Sequence, residues 1–302
     1  MKRGLLVFGG GGQVGRTLSE FSSDTRVITV LSRAEVDICD ASMVAGAIRK
    51  FDPATVINAA GYTAVDKAEI ERDQAFRVNR DGARVVAKAL AETNIPLVHL
   101  STDYVFDGRQ AVPYVEADQV APLNVYGESK LEGELAIRET LSRHIIMRTA
   151  WVYSRFGKNF VRTMLQLNSK RELIQVVDDQ IGSPTFAKDL AAAIIVVATK
   201  AEDKAFDQWG TYHFTGATVV SWYDFAKLIF EEAAIFGIRS PTLRATSSSQ
   251  YAATAVRPKS SVLDTRKFAR VFDFPPRPLR ESVAECLEGI FMRRAEHTTA
   301  EH

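Results

Sequence analysis

Tyr126 and Lys130 stand four residues apart, a spacing that puts both side chains on one face of a helix. A phenol titrates at about pH 10, and a neighbouring ammonium eases proton exchange by stabilising the phenolate. The pair suits acid–base work on an oxygen, and the same lysine could hold a ribose hydroxyl. A second pair with this spacing, Tyr223 and Lys227, lies among Trp222 and Phe225 and reads as core packing. Thr102 and Asp103 follow the run Leu97-Val98-His99-Leu100 closely. A hydroxyl and a carboxylate there could bind a sugar-like substrate, although turn stabilisation is the ordinary role of such a threonine.

The run Gly9-Gly10-Gly11-Gly12-Gln13-Val14-Gly15 follows directly on Leu5-Leu6-Val7-Phe8 and opens an amphipathic stretch. Glycines between a strand and a helix permit positive φ and close approach, and the helix start offers N–H groups to a pyrophosphate. Four consecutive glycines satisfy both Gly10-x-Gly12-x-x-Gly15 and Gly9-x-x-Gly12-x-x-Gly15, so spacing leaves the loop variant open. Further on, Leu31-Ser32-Arg33 places a guanidinium where an NAD site tends to carry a carboxylate. Arg33 suits the 2′-phosphate of NADPH, while nearby Glu35 keeps NADH possible.

These residues must be positioned by elements that the alternation of short apolar runs and amphipathic stretches makes legible. Strands are predicted over 5–8, 27–31, 55–57, 97–100 and 144–147, and helices over 13–21, 41–51, 73–93 and 129–141. After residue 150 the pattern loosens into helices over 158–168, 187–199, 221–236 and 279–294, with a frayed tail from Glu296. The expectation is an α/β protein with a Rossmann-like doubly wound parallel sheet and a smaller α/β C-terminal cap. Residues 1–150 would form the NAD(P)-binding domain. Residues 151–302 would form mainly the substrate-binding cap, with segments returning to the sheet.

The 302 residues fit one or two domains with a buried core. With 38 Lys+Arg against 37 Asp+Glu and the basic residues dispersed, nucleic acid and acidic membranes are not expected partners. Cys39 and Cys286 stand alone, without spacing for a disulfide framework or zinc site. Lys2-Arg3 and the following apolar run imitate a signal peptide, but the glycines cut that run short. The later run from Leu190 to Ala198 is about half a bilayer crossing. A soluble cytoplasmic protein, monomer or homodimer, is expected.

Several phrases together resemble the extended short-chain dehydrogenases/reductases and, within them, the dTDP-4-dehydrorhamnose reductase family. They are Val56-Ile57-Asn58-Ala59-Ala60-Gly61-Tyr62-Thr63-Ala64-Val65-Asp66, Ser101-Thr102-Asp103-Tyr104-Val105-Phe106-Asp107-Gly108 and Asn124-Val125-Tyr126-Gly127-Glu128-Ser129-Lys130. Arg148-Thr149-Ala150-Trp151, Asp179-Gln180-Ile181-Gly182-Ser183-Pro184-Thr185 and Arg257-Pro258-Lys259-Ser260-Ser261 extend the likeness over most of the chain. The resemblance implies NAD(P)H-dependent reduction of the C4 ketone of dTDP-4-dehydro-β-L-rhamnose, the last step of dTDP-L-rhamnose biosynthesis. It makes Tyr126 the proton donor, Lys130 its electrostatic partner and ribose ligand, and Thr102 the hydroxyl completing a triad.

The same resemblance assigns cofactor contacts to Gly12, Gln13 and Val14, to Asp37 and Ile38 at the adenine, and to Gly61, Tyr62 and Thr63; Gly9 and Gly15 of the glycine motif and Ala60 are expected to join them. Thr102, Asp103 and Trp151 match positions that touch the sugar nucleotide. Some relatives pair through Mg²⁺ held by acidic residues, but the matching positions here are Thr17 and Lys188, so no metal is expected. Ser260 replaces an asparagine common in the family, leaving its loop either a substrate contact or a cap-to-sheet connection. Two other readings remain: a different 4-keto sugar nucleotide reductase or epimerase, and a noncatalytic NADP-binding regulatory subunit.

Overall fold

The computed structural model describes residues 3–251 and 253–299. Strands β1 (Leu5–Phe8), β2 (Ile28–Leu31), β3 (Thr55–Asn58), β4 (Leu97–Thr102) and β5 (His144–Thr149) join Gly210–His213 in one sheet. The order is Gly210–His213, β5, β4, β3, β1, β2, with every pair parallel. Chain progression reverses direction between β1 and β3, and their carboxyl ends form the crevice where ligands bind in doubly wound sheets.

The strands are apolar runs because both faces are covered. Alternate residues of β1 divide the core: Leu5 and Val7 pack with Val98, Ile145, Leu190, Ile194 and Phe268, whereas Leu6 and Phe8 pack with Val44, Val56, Val86 and Ile137. The first face is roofed by α1 (Gln13–Ser19), Ala187–Ala201 and Arg266–Phe272. The second carries Ala41–Phe51, Ala83–Leu90 and Val125–Thr140.

A separate apolar cluster, including Val161, Ile174, Phe225, Phe230, Val283 and Leu287, centres the helices Phe160–Asn168, Trp222–Ala233 and Leu279–Thr299. Two parallel strands, Leu173–Val177 and Thr242–Thr246, pair beside them.

Several boundaries differ from the sequence pattern for physical reasons. β4 and β5 each run two residues further, into Ser101-Thr102 and Arg148-Thr149, whose polarity hid their strand character. The helix expected from 129 starts at Val125, because the Asn124 side chain accepts from Gly127 N at 2.8 Å and caps it. Tyr126 therefore lies in its first turn. The helix expected over 73–93 is Arg72–Phe76, a π-helical segment Arg77–Gly82, and Ala83–Leu90.

Ala187–Ala201, expected in the half dominated by the cap, packs on the sheet through residues buried nearly all round it. The last helix continues to Thr299 instead of fraying at Glu296; residues 300–302 lie outside the described residues. Among the described residues, no helix is long and apolar enough to cross a membrane.

Candidate active site

Glycine is required at two points of the turn after β1. Gly9 has φ +103°, and a Cβ on it would lie 2.5 Å from the Ala60 nitrogen. A Cβ on Gly15 would lie 2.4 Å from the Gly9 carbonyl oxygen, while one on Gly11 would meet nothing within 4 Å. The spacing Gly9-x-x-Gly12-x-x-Gly15 is thus the one whose outer members the backbone demands. Gly12 begins α1 without a side-chain cap, leaving the leading N–H groups for an anion. The open face over Gly11 and these N–H groups fit a dinucleotide pyrophosphate.

Gln13 has a further role. Its Nε2 donates to Val152 O at 3.2 Å, and its Oε1 accepts from Ser154 Oγ at 2.8 Å and Asn159 Nδ2 at 3.0 Å. The side chain pins the loop after β5, so only its backbone remains for a phosphate. Val14 is buried in the core, again leaving its backbone.

After β2, the exposed Glu35 folds back to accept from both Ser32 N and Ser32 Oγ at 2.7 Å. Its carboxylate is committed to the turn. The Arg33 side chain is 71% exposed and its Nε lies 3.8 Å from Asp37 Oδ2; Arg77 approaches the same oxygen at 3.9 Å. Asp37 is held below the usual carboxylate range, first by the Cys39 backbone N–H. Two guanidiniums flanking one carboxylate leave positive charge for a 2′-phosphate. Ile38 is packed against Gly82 in the core, so its side chain is not free to face an adenine.

The loop after β3 is held from below. Asn79 Oδ1 accepts from Tyr62 N at 2.8 Å, and Asn79 Nδ2 donates to Tyr62 O at 3.1 Å and to Ser129 Oγ at 2.9 Å. Ser129 Oγ in turn donates to Tyr126 O at 2.8 Å. Asn79 sits in the π-helical segment, and Gly133 comes so near that a Cβ there would lie 2.2 Å from the Asn79 carbonyl oxygen. The Tyr62 hydroxyl donates to Glu71 Oε2 at 2.7 Å, facing away from Asn79's contacts with its backbone.

Tyr126, Lys130, Thr102 and Asp103 meet at the carboxyl end of β4. The Thr102 hydroxyl donates to Asp103 Oδ1 at 3.0 Å and stands beside the Tyr126 phenol. Lys130 Nζ donates to Leu100 O at 2.6 Å and lies 3.4 Å from His99 Nε2. Burial lowers the Lys130 ammonium to about 8, opposed by Glu134.

The Tyr126 phenol is pushed up to about 12, mainly by burial; Asp103 adds to the rise and Thr102 opposes it. This corrects the expectation that Lys130 draws the phenol down: the ammonium is engaged by β4, and desolvation wins. A phenol with a raised pKa holds its proton at neutrality, the state a proton donor needs. Asp103 is raised to about 7, chiefly by burial, against the hydroxyls of Ser261 and Thr102.

Trp151 is held edge and face. Its ring stacks on Trp222 with centroids 3.4 Å apart and planes 5° from parallel, while a Cβ on Gly182 would lie 2.5 Å from the indole. Its φ of +48° is unusual for a bulky residue. Tyr223, by contrast, packs partly buried in the cap under its own Lys227.

The family model described as the RmlD substrate binding domain matches residues 1–291. The dTDP-4-dehydrorhamnose reductase of Aggregatibacter actinomycetemcomitans is 42% identical, covering 90% of this chain and 94% of its own. The enzyme of the same name from Escherichia coli K12 is 40% identical, covering 96% and 99%. The chain belongs to the RmlD family. A crystal structure of dTDP-4-dehydrorhamnose reductase from Bacillus anthracis in complex with NADP superposes with a TM-score of 0.88 at 36% identity, covering 95% and 99%. A UDP-glucose 4-epimerase from Brucella ovis shares the fold alone, at 16% identity and a TM-score of 0.74.

Thr17 and Lys188, where the resemblance would look for metal-binding carboxylates, do not fit Mg²⁺. Lys188 is paired with Glu285, and the Thr17 hydroxyl donates to Gln13 O at 2.9 Å. An ammonium in place of a carboxylate oxygen repels a cation. The Arg-Pro loop reaches the site through Arg257 and Ser261, not Ser260. Arg257 makes a two-pronged pair with Asp66 at 2.7 and 3.1 Å and hydrogen-bonds Tyr104, whose ring meets that of Tyr126 edge-on at 5.9 Å. Ser260 instead bridges to Ile181 beside the Gly182 wall of Trp151.

Sequence reasoning missed Asn79, Arg257's reach and the buried Glu134–Arg148 pair. Arg148 Nε and Nη2 donate to the Glu134 carboxylate at 2.9 and 2.8 Å, and Ser101 Oγ donates to it at 2.5 Å. A polar residue inside the amphipathic run 73–93 was the signal for Asn79. No local pattern joined the others.

Proposed function

We propose that this chain is a dTDP-4-dehydrorhamnose reductase, reducing the C4 ketone of dTDP-4-dehydro-β-L-rhamnose to dTDP-β-L-rhamnose. The observation that carries this reading is the convergence of Tyr126, Thr102 and Lys130 at the rim of β4, in a chain with RmlD relatives of that activity along nearly its whole length. NADPH, when bound, supplies the hydride. Gly9, Gly12 and Gly15 with the backbone of Gln13 and Val14 would hold its pyrophosphate; Arg33, helped by Arg77, its 2′-phosphate; Ala60 to Thr63 and Lys130 its ribose and nicotinamide side. Glu35's engagement with Ser32 supports NADPH over NADH.

Tyr126 donates its proton to the substrate oxygen as negative charge develops there, and the Thr102 hydroxyl would turn from Asp103 to donate a hydrogen bond to the same oxygen. Lys130, held by Leu100 O, would serve as the ribose ligand. Asp103 and Trp151 would contact the sugar, with the Trp222 stack and Gly182 holding the indole in place. Residues 1–150 would supply the dinucleotide half and 151–302 most of the substrate side.

The test is nicotinamide oxidation followed optically with enzymatically prepared dTDP-4-dehydro-L-rhamnose, using NADPH and NADH separately. Substrate-dependent turnover, faster with NADPH, is expected. A protein that binds NADPH but does not consume it with this substrate overturns the reading.

A further inference from the structure

Beneath Lys130 lies a buried titratable group that the reaction above does not use. His99 stands in β4 with 1% exposure, between Asn58 of β3 and Ile146 of β5 in register. Its Nε2 lies 3.4 Å from Lys130 Nζ, and its Nδ1 has no hydrogen-bond partner among the described residues. The charged or titratable groups acting on it are Lys130, from the helix Val125–Thr140, and His144, from β5. Burial and both neighbours hold the ring neutral at physiological pH.

A neutral imidazole has one nitrogen with a proton and one without. An ammonium only donates, so a proton on Nε2 would set two donors against each other. The unprotonated nitrogen must be Nε2. Lys130 has three N–H bonds; Leu100 O takes one at 2.6 Å and His99 Nε2 takes a second. The third is left to point away from β4. A Cβ on Gly61 would lie 4.0 Å from Nζ, which places the ammonium at the edge of the loop after β3.

We propose that His99 is a positioning residue for Lys130: as an obligate acceptor through Nε2, it aims the remaining N–H toward the cofactor ribose and helps the buried ammonium keep its proton. The proposal deepens the reductase reading and rests on it for the role of Lys130. Glu134, the other charge acting on Lys130, also favours the ammonium but sits on the same helix and does not aim the group. Losing an acceptor from a charged donor disfavours the charged form. Removal of His99 therefore moves loss of the Lys130 proton to lower pH.

The experiment has two readouts. ¹⁵N NMR of the ring nitrogens in the wild-type chain without cofactor is expected to show the Nδ1–H tautomer for His99; an Nε2–H tautomer overturns the proposal. The pH profile of kcat is then compared for wild type, His99→Leu and His99→Gln. The alkaline limb is expected to move down by about one pH unit in His99→Leu, the size of a lost hydrogen bond to a charge. It should be restored toward wild type in His99→Gln, whose side-chain oxygen can accept. Equal shifts in both variants, or none in His99→Leu, overturn the proposal. Should His99→Leu fail to fold, the tautomer and the His99→Gln limb decide, a displaced limb counting against it. Absence of ketone-reducing turnover in wild type would defeat the reductase reading instead, and the tautomer would still decide the contact.

Discussion

Asn79 Nδ2 donates to Ser129 Oγ at 2.9 Å, joining the π-helical segment to the helix that carries Tyr126 and Lys130. Through its other bonds Asn79 also holds both backbone groups of Tyr62, so one buried amide sets the loop after β3 against the catalytic helix. A π-helical turn is uncommon and concentrates at functional sites. Asn79→Ala removes the hydrogen bonds to Tyr62 N, Tyr62 O and Ser129 Oγ, at about 0.5–1.5 kcal/mol for each. Urea unfolding should show lower stability, and kcat should fall even in protein that remains folded. Unchanged kcat in the folded variant would reduce Asn79 to a structural residue.

Tyr126→Phe removes the donated proton while keeping the ring against Tyr104. Turnover should drop by about 10²- to 10⁴-fold, the usual worth of a positioned acid. NADPH affinity, measured by fluorescence titration, should change little. Wild-type turnover in this variant would remove Tyr126 from the proposed mechanism.

Arg33→Ala should reduce the preference for NADPH over NADH by about 10- to 100-fold, as for loss of a charge-assisted contact to a phosphate. Because Glu35 stays engaged with Ser32, the loss should appear in NADPH binding and not as a gain with NADH. Ratios of kcat/KM for the two cofactors give the answer. An unchanged ratio would leave the 2′-phosphate to other groups.

Asp103 makes stability depend on pH in an uncommon direction. Its folded pKa of about 7 lies above the ordinary carboxyl value of 3.8, so between these values the folded state binds more protons than the unfolded one. This group's contribution to stability is full below the lower value and is lost as pH rises to about 7. The difference between Asp103→Asn and wild type in thermal midpoint should therefore shift in the variant's favour from acid to neutral pH. A difference independent of pH would mean that Asp103 titrates normally.

Breaking the Glu134–Arg148 pair should be costly, since both side chains are at most 1% exposed. Arg148→Met leaves Glu134 with the partly exposed Arg138, 2.9 Å from Oε2, as its ion-pair partner among the described residues. A loss of about 3–5 kcal/mol is expected from chemical denaturation. A loss too small to measure would show that Arg138 and Ser101 suffice to hold the buried carboxylate.

The sequence by itself determined the features that reside in short stretches. The glycine turn, the alternation of strands and helices, and the Tyr126–Lys130 spacing are local, because period and backbone permissiveness are properties of neighbouring residues. Even the choice of Tyr126 over Tyr223 followed from position along that alternation. Tertiary structure decided which polar groups meet. Arg257 finds Asp66 across 191 residues, Gln13 finds Asn159 across 146, and Asn79 finds Ser129 across 50. It also decided that β4 engages the Lys130 ammonium and that burial holds the Tyr126 proton in place. A hydrophobic pattern encodes which face is buried, whereas the partner of a buried polar group and the water withdrawn from it are set only when distant segments pack.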